Sequence, residues 1–284
     1  YEVHGLQHRN SMVGEVVIYY SVAAFLDEPT VGPIKYAPDS GKYSWPSSGF
    51  SVVESEKSVT TTVFRCGSLA MIGASDPTRP SFLLQMPSIG VGLFESDVTP
   101  DFFGTSTFFS DRILTAMVFS EHGKKIEVIL KTGLEVDPYA VLVNASSENL
   151  NGYGYLIDEN TTVIVDSFDM LLDLYWINEE RLSRAAVLVS SAIHNETRLR
   201  IQNAYDFLEN HNYSAFYVET LEAWSRERSA YLEIKYSIKD IINTGVLYFA
   251  LLLPFLFLAD SFFFKKAGII KRLIRIGSIF MIFL

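Results

Sequence analysis

Over residues 1–165 the apolar positions come in short bursts rich in Val, Ile, Phe and Tyr, separated by Gly, Pro and Asp, a pattern that predicts β-strands. Candidate strands cover 13–25, 59–66, 68–73, 81–86, 90–95, 114–120, 125–131, 140–144, 152–157 and 162–165. Pro29, Pro33, Pro38 and Pro46 mark a turn-rich stretch at 27–48. Such a series predicts a sandwich or barrel-like β domain of one or two subdomains. Its sharpest local unit is LTAMVFS and KIEVILK on either side of Glu121, His122, Gly123 and Lys124. That unit predicts a β-hairpin with Gly123 in the left-handed conformation.

Near Asp166 the period changes from two to 3.6. Leu182, Ala185, Ala186, Val189 and Ile193 share one helical face, and Ile201, Ala204, Tyr205 and Leu208 share the next. A third face carries Leu221, Trp224, Tyr231, Ile234 and Ile238, with Asn195 and Ser214 as the expected N-caps of the second and third helices. The turn at 210–212 makes the last two helices an αα-hairpin. No Gly or Pro interrupts 214–244, so the third helix is expected to run straight into residues 241–264, IINTGVLYFALLLPFLFLADSFFF, whose one charge is Asp260. A bilayer core of about 30 Å needs around 20 apolar residues at 1.5 Å each, so this run predicts a transmembrane helix. The competing reading is a helix buried in a soluble core. Pro254 predicts a mild kink, and Asp260 lies close enough to the end to reach water or head groups.

Beyond the run, Lys265, Lys266, Lys271, Arg272 and Arg275 form a short basic loop without acidic residues, which the positive-inside rule places in the cytoplasm. Beyond setting topology, Lys265, Lys266, Lys271 and Arg272 suit anionic lipid or a cytoplasmic partner. Residues 1–240 are then expected outside the cytoplasm. Residues 274–284 (IRIGSIFMIFL) are expected to begin a second span that is cut short, the alternative being a tail lying in the interface. The expected fold class is thus α+β with a membrane anchor. It comprises a β-rich, sandwich-like exterior domain (1–166), a helical hairpin stalk (167–240), a transmembrane helix (241–264), a basic cytoplasmic loop (265–273) and a truncated second span (274–284).

Composition narrows the function. The chain has 284 residues, 49% of them hydrophobic, enough for a sizeable core. Its net charge of −10 is uneven: residues 1–260 carry 18 basic against 33 acidic side chains, which disfavours nucleic acid as a partner. Cys66 is the one cysteine, so no intrachain disulfide forms, a usage more typical of archaeal or bacterial surface domains than of animal ones. Four N-x-[ST] sequons, at Asn144, Asn160, Asn195 and Asn212, are candidate glycosylation sites. The first residue is Tyr1 and no signal peptide is visible, which suggests that a leader or earlier span was removed or that the chain is an internal segment.

Catalytic chemistry is not suggested. His4 and His8, near Glu2, have a helical spacing, but HGLQH lacks the internal Glu of a metalloprotease helix, so no metal is expected. There is no nucleophile elbow, no phosphate loop and only a weak Gly90–Gly92 pair, so no cofactor is expected either. Cys66 sits in an apolar strand and reads as buried and inert. Among 39 aromatic residues, Tyr19, Tyr20, Tyr36, Tyr43 and Trp45 cluster early and could form a platform for glycan or peptide, although core filling explains them as well.

The junction YSIKDIINTGVLYFALLLPFLFLADSFFFKK, with its basic loop and RIGSIFMIFL, resembles large prokaryotic, especially archaeal, membrane proteins of the FtsX-like ABC-transporter permease type. The resemblance covers about residues 195–284. It rests on Leu253, Pro254, Phe255, Phe257, Leu258 and Asp260, the last standing where the family pattern has Glu. It implies an exterior β-rich region and hairpin that move when a separate cytoplasmic ATPase cycles. The resulting expectation is a non-enzymatic, membrane-anchored surface protein, the exterior and stalk portion of a multi-span permease-like protein that acts by binding or by mechanical transmission. Its expected partners are the lipid bilayer, a cytoplasmic ATPase or other envelope proteins, and further copies of itself. The alternative is a cell-surface receptor or envelope protein binding glycan or peptide.

Overall fold

A computed structural model describes residues 17–18, 34, 36–39, 50–51, 63–79, 87–96, 98–110, 113–133, 136–159, 161–185, 189 and 191–263. Two short pairs lie toward the N-terminus: β1 (Val17–Ile18) with β3 (Phe50–Ser51), and β2 (Tyr36–Pro38) with β4 (Val63–Arg65). The main body has two four-stranded sheets. One is ordered β12 (Thr162–Val165), β5 (Gly67–Ile72), β8 (Ile113–Ser120), β7 (Phe103–Ser110). The other is built around β9 (Lys124–Thr132), with β6 (Pro87–Leu93), β10 (Pro138–Leu142) and β11 (Tyr155–Ile157) all paired to it. Every pairing among the described strands is antiparallel except β12 on β5, which is parallel with Val163 opposite Leu69.

Period-two alternation decides what faces inward. Ile126, Val128, Leu130 and Thr132 of β9 are buried while the residues between them are only half-buried, as expected of a sheet with one face covered. Strand β5 is buried on both faces. Leu69 and Met71 join Ala116 and Val118 in the main core with β9, whereas Cys66 and Phe119 join Ala37 and Phe64 in a smaller cluster.

The expected hairpin at 121–124 is not one. Strand β8 pairs with β5 and β7, and β9 pairs with β6, β10 and β11, so the turn carries the chain from one sheet to the other. Gly123 does adopt the left-handed conformation (φ 71°), and its N–H donates to Ile157 O at 2.7 Å.

Among the described residues three helices follow, α1 (Ser167–Ala185), α2 (Ala192–Glu209) and α3 (Tyr213–Phe263). Asp166 opens α1 through a reciprocal cap. Its Oδ1 accepts from the amides of Phe168 and Asp169, and Asp169 Oδ2 accepts from the Asp166 amide. The expected continuous face from Leu182 to Ile193 is broken, because α1 ends at Ala185 and Ser191 caps α2 by accepting from His194 N at 3.3 Å. Asn195 therefore lies inside the first turn of α2, not at its cap. Asn212, not Ser214, caps α3, its Oδ1 accepting from Ala215 N at 3.3 Å.

The membrane anchor is corrected. Among the described residues no helix is long and apolar enough to cross a membrane. Residues 241–263 form no separate element; they are the C-terminal part of the 51-residue α3, whose earlier part is charged and amphipathic. Asn243, Thr244 and Tyr248 interrupt the run, leaving 249–259 as its longest stretch without a polar side chain. That stretch is about 17 Å long at 1.5 Å per residue, against about 30 Å for a bilayer core. Pro254 lies inside α3 and has no N–H to offer the carbonyl of Ala250 one turn back. The strands expected at 13–25 (apart from 17–18) and 81–86, the basic loop and residues 274–284 lie outside the described residues.

Candidate functional site

The most concentrated buried polar chemistry lies where the three helices meet. On α1, Tyr175, Asn178 and Glu179 fall on one face at i, i+3 and i+4. Opposite them, α2 supplies His194 and Arg198 and α3 supplies Glu227. His194 is 1% exposed and Glu227 fully buried. His194 Nδ1 lies 2.7 Å from Glu227 Oε1, and Nε2 lies 2.8 Å from Glu179 Oε2. Asn178 Nδ2 donates to the same Glu227 Oε1 at 2.5 Å and to the Glu227 carbonyl at 3.3 Å. The Tyr175 ring stacks on the imidazole with centroids 4.6 Å apart. Arg198 Nε donates to Tyr175 Oη at 2.8 Å, and its Nη2 reaches both Glu179 oxygens. Burial alone would lower the His194 pKa, but the hydrogen bonds and charges of Glu227 and Glu179 outweigh it and the net direction is upward.

A paired imidazole and carboxylate is the machinery of acid–base catalysis. Here, however, both ring nitrogens are occupied by carboxylates and the ring is closed off from solvent. Ser191, at the start of the same helix, is spent on the helix cap and on Glu233 Oε2 at 2.9 Å. The arrangement can hold a proton and fix helices; it presents no reacting atom to a substrate.

Further polar contacts fasten α3 to the sheets. The indole of Trp224, fully buried, donates to Tyr139 O at 2.9 Å. Arg228 Nη1 reaches both Asp76 oxygens at 3.1 Å, and Thr132 Oγ1 donates to Asp76 Oδ2 at 2.8 Å. Lys235 Nζ and Tyr236 Oη both donate to Asp137, at 2.6 and 2.5 Å. On α1, buried Asp173 accepts from the amides of Val143, Asn144 and Ala145 and from Tyr155 Oη. Burial pushes its carboxyl up to about 6 against the pull of those four bonds.

The residues singled out from sequence are scattered. Asn144, Asn195 and Asn212 are exposed, at the 143–145 loop, in the first turn of α2 and at the α3 cap; Asn160 lies outside the described residues. Pro254 is exposed within α3, and Asp260 belongs to the same helix. Lys265, Lys266, Lys271, Arg272 and Arg275 lie outside the described residues, as do His4, His8, Tyr19, Tyr20, Tyr43 and Trp45; Tyr36 is in β2. Cys66 is buried, and burial pushes its thiol up to about 12. Among the described residues, no group of three or more His, Cys, Asp or Glu could hold a metal ion. A shallow groove of about 290 Å³ runs between β6 and β7, lined by Pro87, Ile89, Thr105, Ser106 and Thr107, without a titratable side chain.

Sequence reasoning misses the helix junction. His194 and Glu227 are 33 residues apart with no motif joining them, and only the fold brings them together. No protein-family model, curated protein or solved structure matches the chain.

Proposed function

We propose that the protein is a non-enzymatic transmission element in which α3 acts as a rigid arm rooted in the sheet domain. The observation that carries this reading is the division of labour along one helix. The first half of α3 is held by Trp224, Glu227, Arg228 and Lys235, through contacts to strands, loops and both other helices. Among the described side chains of the second half, Ile242, Val246, Leu247, Leu251, Phe255 and Leu258 are each more than half open to solvent. At 1.5 Å per residue, its 51 residues span about 77 Å. An arm fastened over its first half and apolar over its second can pass displacement from a partner covering those exposed apolar side chains to the sheet domain, or the reverse. The resemblance to FtsX-like permeases points to the same kind of action, with any ATPase supplied by a separate polypeptide.

Spin labels at Glu148 and Leu251, both exposed, test the rigidity this reading needs. A single narrow distance distribution is expected in the full chain, and inserting two glycines after Gly245 should broaden it. A broad distribution without the insertion would refute the rigid-arm reading.

A further inference from the structure

We propose that the α1–α2–α3 junction is a proton-binding site: His194, Glu179 and Glu227 together hold one proton more than a neutral imidazole between two carboxylates would, and losing it loosens α2 from α1 and α3.

A neutral imidazole has one N–H and one lone pair, whereas an ionised carboxylate offers only acceptors. His194 places both nitrogens within 2.8 Å of carboxylate oxygens. With a neutral ring and two ionised glutamates, one of those contacts would set lone pair against lone pair at a ring that is itself only 1% exposed. One added proton makes both contacts attractive. Glu227 Oε1 already accepts from Asn178 Nδ2, and its Oε2 has no hydrogen-bond partner among the described residues, so the buried carboxylate depends on the imidazole for much of its compensation.

The charged and titratable groups facing the ring come from all three helices. They are Glu179 and Tyr175 from α1, Arg198 from α2 and Glu227 from α3, with Glu233 reached through Ser191. Arg198 neutralises Glu179 in part but bonds the tyrosine hydroxyl rather than the ring. Because the His194 pKa is raised in the folded chain, the stabilisation is fully present below the ordinary histidine value of about 6.5 and is lost as pH rises through the folded value. Above that point the proton leaves to solvent, and the junction holds two carboxylates around a neutral ring. This inference concerns helix packing and stands independently of the arm reading.

The test is ¹⁵N-histidine NMR of the full chain across pH 5–10, with the His194 signals assigned by their loss in His194→Gln. The expected result is a His194 midpoint above the ordinary histidine value of about 6.5, with both ring nitrogens protonated below it. Amide exchange in α2, corrected for intrinsic rates, should quicken as pH passes that midpoint. Glu179→Gln is the decisive variant, since Glu179 is 32% exposed and its loss leaves the buried pair in place. It should lower the His194 midpoint while far-UV circular dichroism is unchanged. A His194 midpoint at or below about 6.5, a midpoint that Glu179→Gln does not move, or α2 exchange that stays flat across it overturns the proposal.

Discussion

Replacing Trp224 by Phe isolates one hydrogen bond at the root of α3. The ladder between β10 and β9 shifts register between Pro138 and Ala140, so Tyr139 has no partner residue on β9, and its carbonyl accepts the Trp224 indole N–H instead. Phenylalanine removes that donor and leaves a buried carbonyl unpaired, at about 1–3 kcal/mol. The smaller ring also vacates space in the main core, which adds about 1 kcal/mol. Together these amount to about 2–4 kcal/mol. Trp224→Ala should cost about 5 kcal/mol or more, since aromatic truncation in a core alone costs about 3–5, a large part of a typical domain's stability. Urea denaturation followed by circular dichroism reads these as falls in midpoint. Tyr139→Phe provides the control, because it deletes a different bond, from Tyr139 Oη to Ala74 O at 2.6 Å. A Trp224→Phe chain within about 0.5 kcal/mol of the parent would refute the account of how the displaced carbonyl is satisfied.

Three further outcomes are expected. Asp173→Asn turns an acceptor oxygen into a donor facing the 143–145 amides and should cost about 3 kcal/mol, since buried bonds to a charged acceptor contribute about 1.5–3 each. Because the Asp173 pKa is raised to about 6, its titration stabilises the fold below the ordinary carboxylate value of about 4 and that contribution fades as pH rises through 6; the Asn variant should lack this slope, and parallel stability curves for the two proteins would contradict it. Gly152→Ala should cost about 3 kcal/mol in the same denaturation assay, because φ is 86° there and a β-carbon would meet the Val143 carbonyl, which accepts from Tyr153 and Gly154. Cys66 should resist maleimide labelling in native buffer and react fully in denaturant; fast native labelling would show the small cluster around Phe64 and Phe119 to be open.

Strands are legible where alternation or β-branched runs are strong, as in β9 and β12. Strand β7 (FGTSTFFS) escapes the pattern because more than half of it is Ser, Thr and Gly. The turn at 121–124 looks like a hairpin because turn chemistry specifies local direction, not which sheet the next strand joins. A cue is present all the same: β8 is buried on both faces, whereas β9 alternates strictly, so the two strands have different surroundings. The break between α1 and α2 is hidden because Leu182, Ala185, Val189 and Ile193 keep helical spacing across it. The uninterrupted run of α3 to Phe263 is legible in the absence of Gly and Pro over 214–244, whereas the span that hydrophobic length suggests at 241–264 is not found, since no described helix is long and apolar enough to cross a membrane. The helix junction leaves no trace because its members come from three segments, and a lone histidine in a helix has no visible partner.

Strand β12 has a consequence for how the chain is made. Ser68 on β5 is bridged to Thr162 across 94 residues, and β12 makes the one parallel pairing among the described strands. During synthesis at about 5–20 residues per second, the flank of β5 must wait roughly 5–20 s for its neighbour to emerge. An open strand edge, with its unpaired backbone N–H and C=O groups, invites pairing with other chains. Until residues 162–165 leave the ribosome, the nascent polypeptide therefore exposes the edge of β5 that β12 later covers.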